Sequence, residues 1–295
     1  TNLDANVYSA EHRGTYSFAN RKQVLWGAKY SHEEINDKLS EWKYVDSAGF
    51  SIPITNPQEI ILQDIIKQKI GIRSDRVSGY VQTNLSKEFR DTSFMNLTVG
   101  VRANYWSLNK QALIGPRATF GYKPHWKRDF LFKFSTGYYY QPPFYRELRD
   151  NKGIINTDLK AQTSIHFVLA SDYNFTAWNR PFKFIAEAYY KYLDNIVPYD
   201  IDNVRIRYSA KNSAKGYAQG IDLKVNGEFV RGLESWASVS LSQTQEDIKG
   251  DYYYDYITAT NAANVTTIVD SVRVEPGYIP RPTDQLVTFA IFFQD

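Results

Sequence analysis

Residues 130–140 read Phe-Leu-Phe-Lys-Phe-Ser-Thr-Gly-Tyr-Tyr-Tyr. Phe130, Phe132, Phe134, Thr136, Tyr138 and Tyr140 fall on one side of a period-two pattern, and Leu131, Lys133, Ser135, Gly137 and Tyr139 on the other. One side suits hydrocarbon and the other water. The split recurs at 182–192, where Phe182, Phe184, Ala186, Ala188, Tyr190 and Tyr192 oppose Lys183, Ile185, Glu187, Tyr189 and Lys191. Residues 97–106 and 217–229 alternate in the same way. Runs of about ten or more residues are roughly twice the usual strand length of a globular sheet, and they match a tilted crossing of the hydrocarbon layer. No window approaches 18 consecutive apolar residues, which excludes a transmembrane helix and leaves a β-barrel open.

Composition agrees with strands at a membrane boundary. Of 295 residues, 43% are hydrophobic and 16% aromatic, with 23 Tyr and 17 Phe against one Met. The mean hydropathy of -0.48 fits a barrel whose strands alternate. Cysteine is absent, which removes disulfides, Cys-ligated zinc and thiol chemistry. The formal charge is +3, but its cations are dispersed among acids, so nucleic acid is not an expected partner. Thr1 to Ala10 lack the charged start and apolar core of a signal peptide. Either such a segment has been removed or the sequence begins inside a longer protein.

The pattern predicts eleven long strands, at 3–19, 21–32, 76–89, 94–106, 113–124, 129–140, 161–175, 181–193, 216–229, 234–245 and 284–294. Their links alternate. Those at Asn20, Arg90 to Ser93, His125 to Arg128, Thr176 to Arg180 and Val230 to Leu233 are tight. Those at Glu33 to Asp75, Gln141 to Lys160, Asp194 to Lys215 and Glu246 to Thr283 are long, and Ser107 to Ala112 is short in a long-loop slot. Tight turns on one side and long loops on the other is the arrangement of outer-membrane barrels, with turns periplasmic and loops extracellular. Within the first long loop, Asn56, Pro57 and Glu59 read as a helix start, and Ile61, Leu62, Ile65 and Ile66 repeat at helical spacing. A short helix from Pro57 to Lys69, packed on the rim, is the expectation there.

Catalytic signatures are missing: there is no P-loop, G-x-S-x-G, H-E-x-x-H or Rossmann glycine pattern. His12, His32, His125 and His166 never stand at metal-ligand spacing, and no metal site or cofactor is expected. Asp194, Asp200 and Asp202, and Asp247, Asp251 and Asp255, lack EF-hand order and glycine and read as solvated loop charge. The sequons at Asn84, Asn96, Asn174 and Asn264 fall mainly in or beside strands and read as chance matches.

The middle of the chain carries a resemblance. Pro116-Arg117-Ala118, then Gly137-Tyr138-Tyr139-Tyr140-Gln141-Pro142-Pro143-Phe144-Tyr145-Arg146-Glu147-Leu148, resembles the barrel of TonB-dependent receptors, especially those with a carboxypeptidase-regulatory-like N-terminal domain. Similar matches are Ser164-Ile165-His166-Phe167-Val168-Leu169, Tyr190-Lys191-Tyr192-Leu193-Asp194-Asn195, Asn203-Val204-Arg205-Ile206-Arg207-Tyr208, Ala214-Lys215-Gly216-Tyr217-Ala218 and Gly277-Tyr278-Ile279-Pro280-Arg281-Pro282-Thr283-Asp284-Gln285. The resemblance covers roughly residues 76–295.

It implies an all-β fold, an antiparallel transmembrane β-barrel of about 22 strands. Residues 1–295 would supply about half of it as a partial barrel domain, incomplete at both ends. A plug, a TonB box facing the periplasm and an inner-membrane motor would belong to the same system and lie outside this sequence. The implied function is import of a bulky, scarce ligand through the cell outer membrane of a Gram-negative bacterium, the ligand being a siderophore, glycan, peptide or vitamin. The chain is not expected to be an enzyme. Implied partners are outer-membrane lipid, the TonB complex and a surface lipoprotein. A structural or scaffold barrel without active transport is the alternative, and a soluble all-β binding protein a third reading.

Tyr140, Tyr145, Arg146 and Glu147 are the ligand-facing candidates, because Tyr and Arg give rigid contact area and directed hydrogen bonds. Packing of that loop against the plug is the competing role. Three geometric expectations follow. Phe130, Phe132 and Phe134 should face lipid while Lys133 and Glu187 face the lumen. The longest loops should share a rim opposite the tight turns. The strands Leu3 to Ala19 and Asp284 to Gln294 should not close on each other, since about seven more strands and a plug would precede Leu3 and about four would follow.

Overall fold

The structure, a computed structural model, describes residues 2–18, 22–44, 62–202, 205–260 and 266–294. The first eight strands are β1 (Asn2–Ser17), β2 (Gln23–Tyr44), β3 (Leu62–Glu88), β4 (Phe94–Trp106), β5 (Gln111–Lys123), β6 (Asp129–Gln141), β7 (Gln162–Ala177) and β8 (Arg180–Ile196). The rest are β9 (Tyr199–Asp202), β10 (Arg205–Tyr208), β11 (Ala214–Val230), β12 (Leu233–Ile248), β13 (Tyr253–Thr260), β14 (Thr266–Val274), β15 (Tyr278–Pro280) and β16 (Val287–Phe292).

One antiparallel sheet runs β1-β2-β3-β4-β5-β6-β7-β8-β11-β12, and β15 and β16 share the next place beside β12. Each of the eleven long strands read from the alternation has its counterpart here. β9–β10 and β13–β14 are separate hairpins in the long connections. Among the described residues β1 pairs with β2 alone and β16 with β12 alone, so the two ends of the sheet do not meet.

Register gives the sheet two chemically different faces. Phe134, Leu169, Ala188, Ile221, Leu241 and Val287 are successive partners across β6, β7, β8, β11, β12 and β16. The adjacent row runs Gly121, Lys133, Ala170, Glu187, Asp222 and Ser240. The first face, with Trp26, Val81, Val99 and Phe120, carries exposed apolar side chains. The second carries the charges, and Lys133 and Lys183 both bond Asp172 Oδ2 there, at 2.9 and 2.8 Å. Loop 142–161 folds onto this polar face, through Arg76 and Gln162 among others. The polar face therefore lines the interior, with Lys133 and Glu187 inward and Phe130, Phe132 and Phe134 outward.

Two sequence expectations need correction. The span Glu33 to Asp75 is not a loop in its described part: β2 and β3 continue through it, paired from Gln23↔Asn84 to Tyr44↔Leu62. At 22 and 27 residues these strands exceed twice the roughly 9–11 needed for a crossing, so their upper halves project beyond the hydrocarbon. The expected helix Pro57 to Lys69 is likewise absent where it can be seen. Asn56, Pro57, Glu59 and Ile61 lie outside the described residues, and Leu62 to Lys69 is strand, with Ile66 opposite Glu41 and Lys69 opposite Lys38. Pairing with β2 gives this stretch a cross-strand ladder, which overrides a four-residue apolar spacing.

The tight links 89–93, 124–128, 178–179 and 231–232 lie at one end of the meander; the remaining link, at Asn20, falls outside the described residues. The links 107–110, 142–161, 197–213 and 249–277 lie at the other end, with the projecting β2–β3 hairpin. Asn84, Asn96 and Asn174 sit in β3, β4 and β7, and Asn264 is outside the described residues.

A charge on the outward face at mid-strand is expected to be expensive. Val99→Lys should lower unfolding stability in lipid vesicles by about 2–4 kcal/mol, whereas Thr119→Lys on the inward face should change it little. Urea unfolding of the full-length protein with each substitution measures the difference.

Candidate functional site: the inward face and its covering loop

The polar face offers two cavities toward the long-loop end. The first, of about 490 Å³, is lined by Lys29, Arg76, Arg102, Arg117, Trp106 and Tyr139 among others. In its wall the β5–β6 ladder runs only from Arg117↔Gly137 to Tyr122↔Phe132. It ends beside Pro116, which has no N–H to give, and the two strands stay close there: an added Cβ on Gly115 would stand 2.6 Å from the Tyr138 carbonyl oxygen. Gly137 opposite Arg117 is a space requirement: an added Cβ would stand 2.8 Å from that of Arg117. The guanidinium lies 4.9 Å from the Tyr139 ring centre, and His166 stacks on the same ring at 4.2 Å.

The second cavity, about 520 Å³, lies at the rim between Asp37, Tyr145, Arg146, Arg149, Arg205 and Arg207. Loop 142–161 forms one side of it. The loop leaves β6 through Pro142 and Pro143, and the Pro143 carbonyl accepts from Arg76 Nη2 at 3.1 Å. A single 3-10 turn, Tyr145–Leu148, follows. The buried Glu147 carboxylate accepts from the Phe144 N–H at 3.1 Å and from Gln162 Nε2 at 2.8 Å. The Tyr145 hydroxyl donates to Asp37, and Arg149 Nη1 donates to the same carboxylate at 2.6 Å.

Beneath the loop, Leu148, Leu159 and Val197 pack with Ile72 and Trp106 in one small apolar cluster. Trp106 donates to Ser74 Oγ at 3.1 Å and carries the Arg76 guanidinium 4.0 Å from its ring centre. Amides close the remaining backbone groups: Asn109 gives to Leu159 O at 2.8 Å, Asn212 to Lys160 O at 3.0 Å, and Gln111 accepts from Ala161 N at 2.8 Å. On the far side Arg205 and Arg207 both reach Glu41 at 3.4 Å, joining the β9–β10 hairpin to projecting β2.

The four sequence candidates do not form one cluster. Tyr140 keeps the outward parity of Phe134 and Tyr138 and borders the first cavity beyond the end of the β5–β6 ladder. Tyr145 and Arg146 border the second cavity. Tyr145 and Glu147 are engaged in holding the loop, and Arg146 is exposed. The anchors Asp37, Arg76, Arg149, Gln162 and Asn212 were not singled out from the sequence. For Arg76 and Gln162 strand parity is the signal that could have found them. Among the described residues no group of three His, Asp or Glu side chains is placed to hold a metal ion.

With the sheet, its two faces and its covering loop established, comparison with known proteins is decisive. The TonB dependent receptor-like beta-barrel family matches residues 1–292. This chain belongs to the TonB-dependent receptor family. No curated protein matches. Solved structures that share the fold include the outer membrane transporter YddB from Escherichia coli, 14% identical, with a TM-score of 0.54 over 83% of this chain and 34% of that one. The RagAB peptide transporter gives 11% and 0.52 over 98% and 39%. The ferric enterobactin receptor PfeA gives 12% and 0.59 over 92% and 46%. The chain spans less than half the length of each of these.

Two outcomes test how the receptor barrel's loop is held. Asp37→Ala leaves the mostly buried Arg149 cation unpaired and should weaken docking of loop 142–161 by about 3 kcal/mol, read as lost amide protection there with the wall unchanged. Burial raises the Glu147 pKa, against the lowering by its two donors. A raised folded-state value favours the protonated form, so this contribution is full below the ordinary carboxylate value of about 4.3 and is lost as pH rises through the raised one. Protection of the loop should therefore fall as pH rises above the ordinary carboxylate range, and Glu147→Gln should flatten that dependence.

Proposed function

We propose that this chain is the central wall and part of the extracellular rim of an outer-membrane transporter in a Gram-negative cell, importing a bulky, scarce ligand such as a siderophore, glycan, peptide or vitamin. The observation that carries the reading is loop 142–161, folded over a charged inward face and leaving cavities above and below itself. Such a rim captures a ligand, and the polar interior lets it pass. Family membership supports the assignment, as does the fold shared with a peptide transporter and a ferric enterobactin receptor.

In this reading the chain forms one domain with strands and a plug outside residues 1–295. A carboxypeptidase-regulatory-like domain stands at the N-terminus of the whole receptor, and a surface lipoprotein assists capture. Ligand contacts at the rim shift the plug toward a state on which the TonB complex can pull, and passage follows. Binding and release do the work, with no covalent step. Tyr140, Tyr145, Arg146 and Glu147 remain the proposed ligand shell. Arg146 is the direct contact, Tyr145 and Glu147 set its position, and Tyr140 flanks the lower cavity.

The test is uptake by cells carrying the full-length protein, with a ferric siderophore, an oligosaccharide, a peptide digest and cobalamin as probes. One probe class should accumulate only when TonB is intact, and Arg146→Ala should lower its binding about tenfold, the loss of one charged contact of about 1.5 kcal/mol. Binding without TonB-dependent accumulation would favour a scaffold barrel. Accumulation of no probe, with none bound, would remove the import reading.

A further inference from the structure

The tight-turn end of the sheet repeats one chemical pattern five times. An aromatic residue opens the turn and a cation follows within four positions: Phe18 with Lys22, Phe89 with Arg90, Trp126 with Lys127 and Arg128, Trp178 with Arg180, and Phe229 with Arg231. All five aromatics are exposed, Trp126 at 60% and Trp178 at 76%. Their rings lie on the outward side: Phe18 meets Tyr16, Trp126 meets Phe130 and Phe132, and Trp178 and Phe229 both meet Phe182. Lys87 Nζ, on the outward face, lies 5.0 Å from the Phe89 ring centre. The aromatic arc thus continues the apolar band at its lower border.

More cations than acids are exposed at this end. Lys22, Arg90, Lys127, Arg128 and Arg231 are exposed, and Arg180 bonds the Phe229 carbonyl at 2.7 Å. Of the acids at or beside these turns, Glu88, Asp91 and Glu234 are exposed, and Asp91 is held by Ser93, Asp129 by Lys123 and Asn174, and Glu228 by the Gly232 N–H. Trp178 adds a second indication. It occupies φ 52 in a two-residue turn with Asn179 at φ 57, a conformation that suits Asn or Gly and is strained for a bulky side chain. The turn keeps a large indole at its most exposed point despite that strain.

We propose that this arc binds the headgroups of anionic phospholipids in the leaflet at the tight-turn end. Adjacent turns are two strands apart, roughly 10 Å across the strands, so the cations make a curved row and not a single pocket. Aromatic rings settle at the level where acyl chains end, and Arg and Lys extend from there to headgroup phosphates. Continuity with the lipid-facing band and the excess of exposed cations over exposed acids select an anionic lipid surface over a soluble partner. The inference rests on the reading of the outward face as lipid-covered.

The test places the full-length protein in mixed micelles with equal phosphatidylglycerol and phosphatidylethanolamine and counts retained lipids by native mass spectrometry. Phosphatidylglycerol should be enriched severalfold, and less so at high salt. A variant with Arg90→Gln, Arg128→Gln and Arg231→Gln should lose the enrichment, by up to about fivefold per cation. A charge-matched variant at the other rim, Lys110→Gln, Lys152→Gln and Lys211→Gln, should keep it. Equal retention of both lipids by the unaltered protein, or the same loss in both variants, overturns the headgroup assignment. Retention of neither lipid overturns the membrane reading beneath it.

Discussion

Hydrocarbon offers a peptide group no hydrogen-bond partner, so every backbone N–H and C=O of a crossing segment must be satisfied by the protein itself. The antiparallel ladders from β3 to β8 answer that constraint, continuous except between β5 and β6, where pairing covers Arg117 to Tyr122. Register shifts occur near strand ends, at Lys43/Tyr44, Ala214/Gly216, Gly227/Val230 and in the β13–β14 hairpin. A slip of one residue would exchange the two faces of a strand. Uniform pairing is what keeps Lys133, Glu187 and Asp222 on the same side across four strands. The departure at Pro116 is correspondingly informative, since the ladder to β6 ends beside the lower cavity where a donor is missing.

The same constraint explains which parts of the fold could be read in the sequence. Where lipid and water meet opposite faces, alternation is strong, and β4 and β6 were located to within a residue or so. Above the hydrocarbon the contrast disappears. In projecting β2, Glu33, Ile35, Asp37 and Leu39 alternate with Glu34, Asn36, Lys38 and Ser40, one side mixed and the other polar, because water lies outside and a polar loop inside. That stretch therefore read as a loop. The helical reading of Leu62 to Lys69 had a related origin, because residues four apart share a strand face as surely as a helix face. Ile66 and Ile70 are such a pair, opposite Glu41 and Asp37.

The candidate site was legible in location more than in roles. The aromatic and charged run after Tyr140 does form the loop over the inward face. Which of its side chains hold and which are presented depends on partners far away in sequence: Arg149 and Tyr145 meet at Asp37, more than a hundred positions earlier. Several other anchors are amides bonded to carbonyls, as with Asn109 on Leu159 and Asn212 on Lys160. Such contacts leave no periodic trace, since any residue can offer the carbonyl. Burial separates neighbours that looked equivalent, enclosing Glu147 and exposing Arg146 one position away.

Wall and rim consequently differ in how they can respond to a ligand. Moving one strand of the wall breaks two ladders at once in a medium that offers no replacement, so the wall is effectively rigid. Loop 142–161 rests on a small apolar cluster, and much of its remaining hold comes from hydrogen bonds and ion pairs. Those contacts fix its position, because they are directional, but water can take over each of them when the loop lifts. Displacing the loop therefore costs far less than displacing a strand. Under the proposed import reading a ligand touching Arg146 would act on the element of the structure that can yield, and the Asp37–Arg149 pair ties that element to the projecting β2–β3 hairpin. Rigidity imposed by the bilayer and compliance imposed by water thus meet at the rim, which in that reading is where capture would be converted into movement.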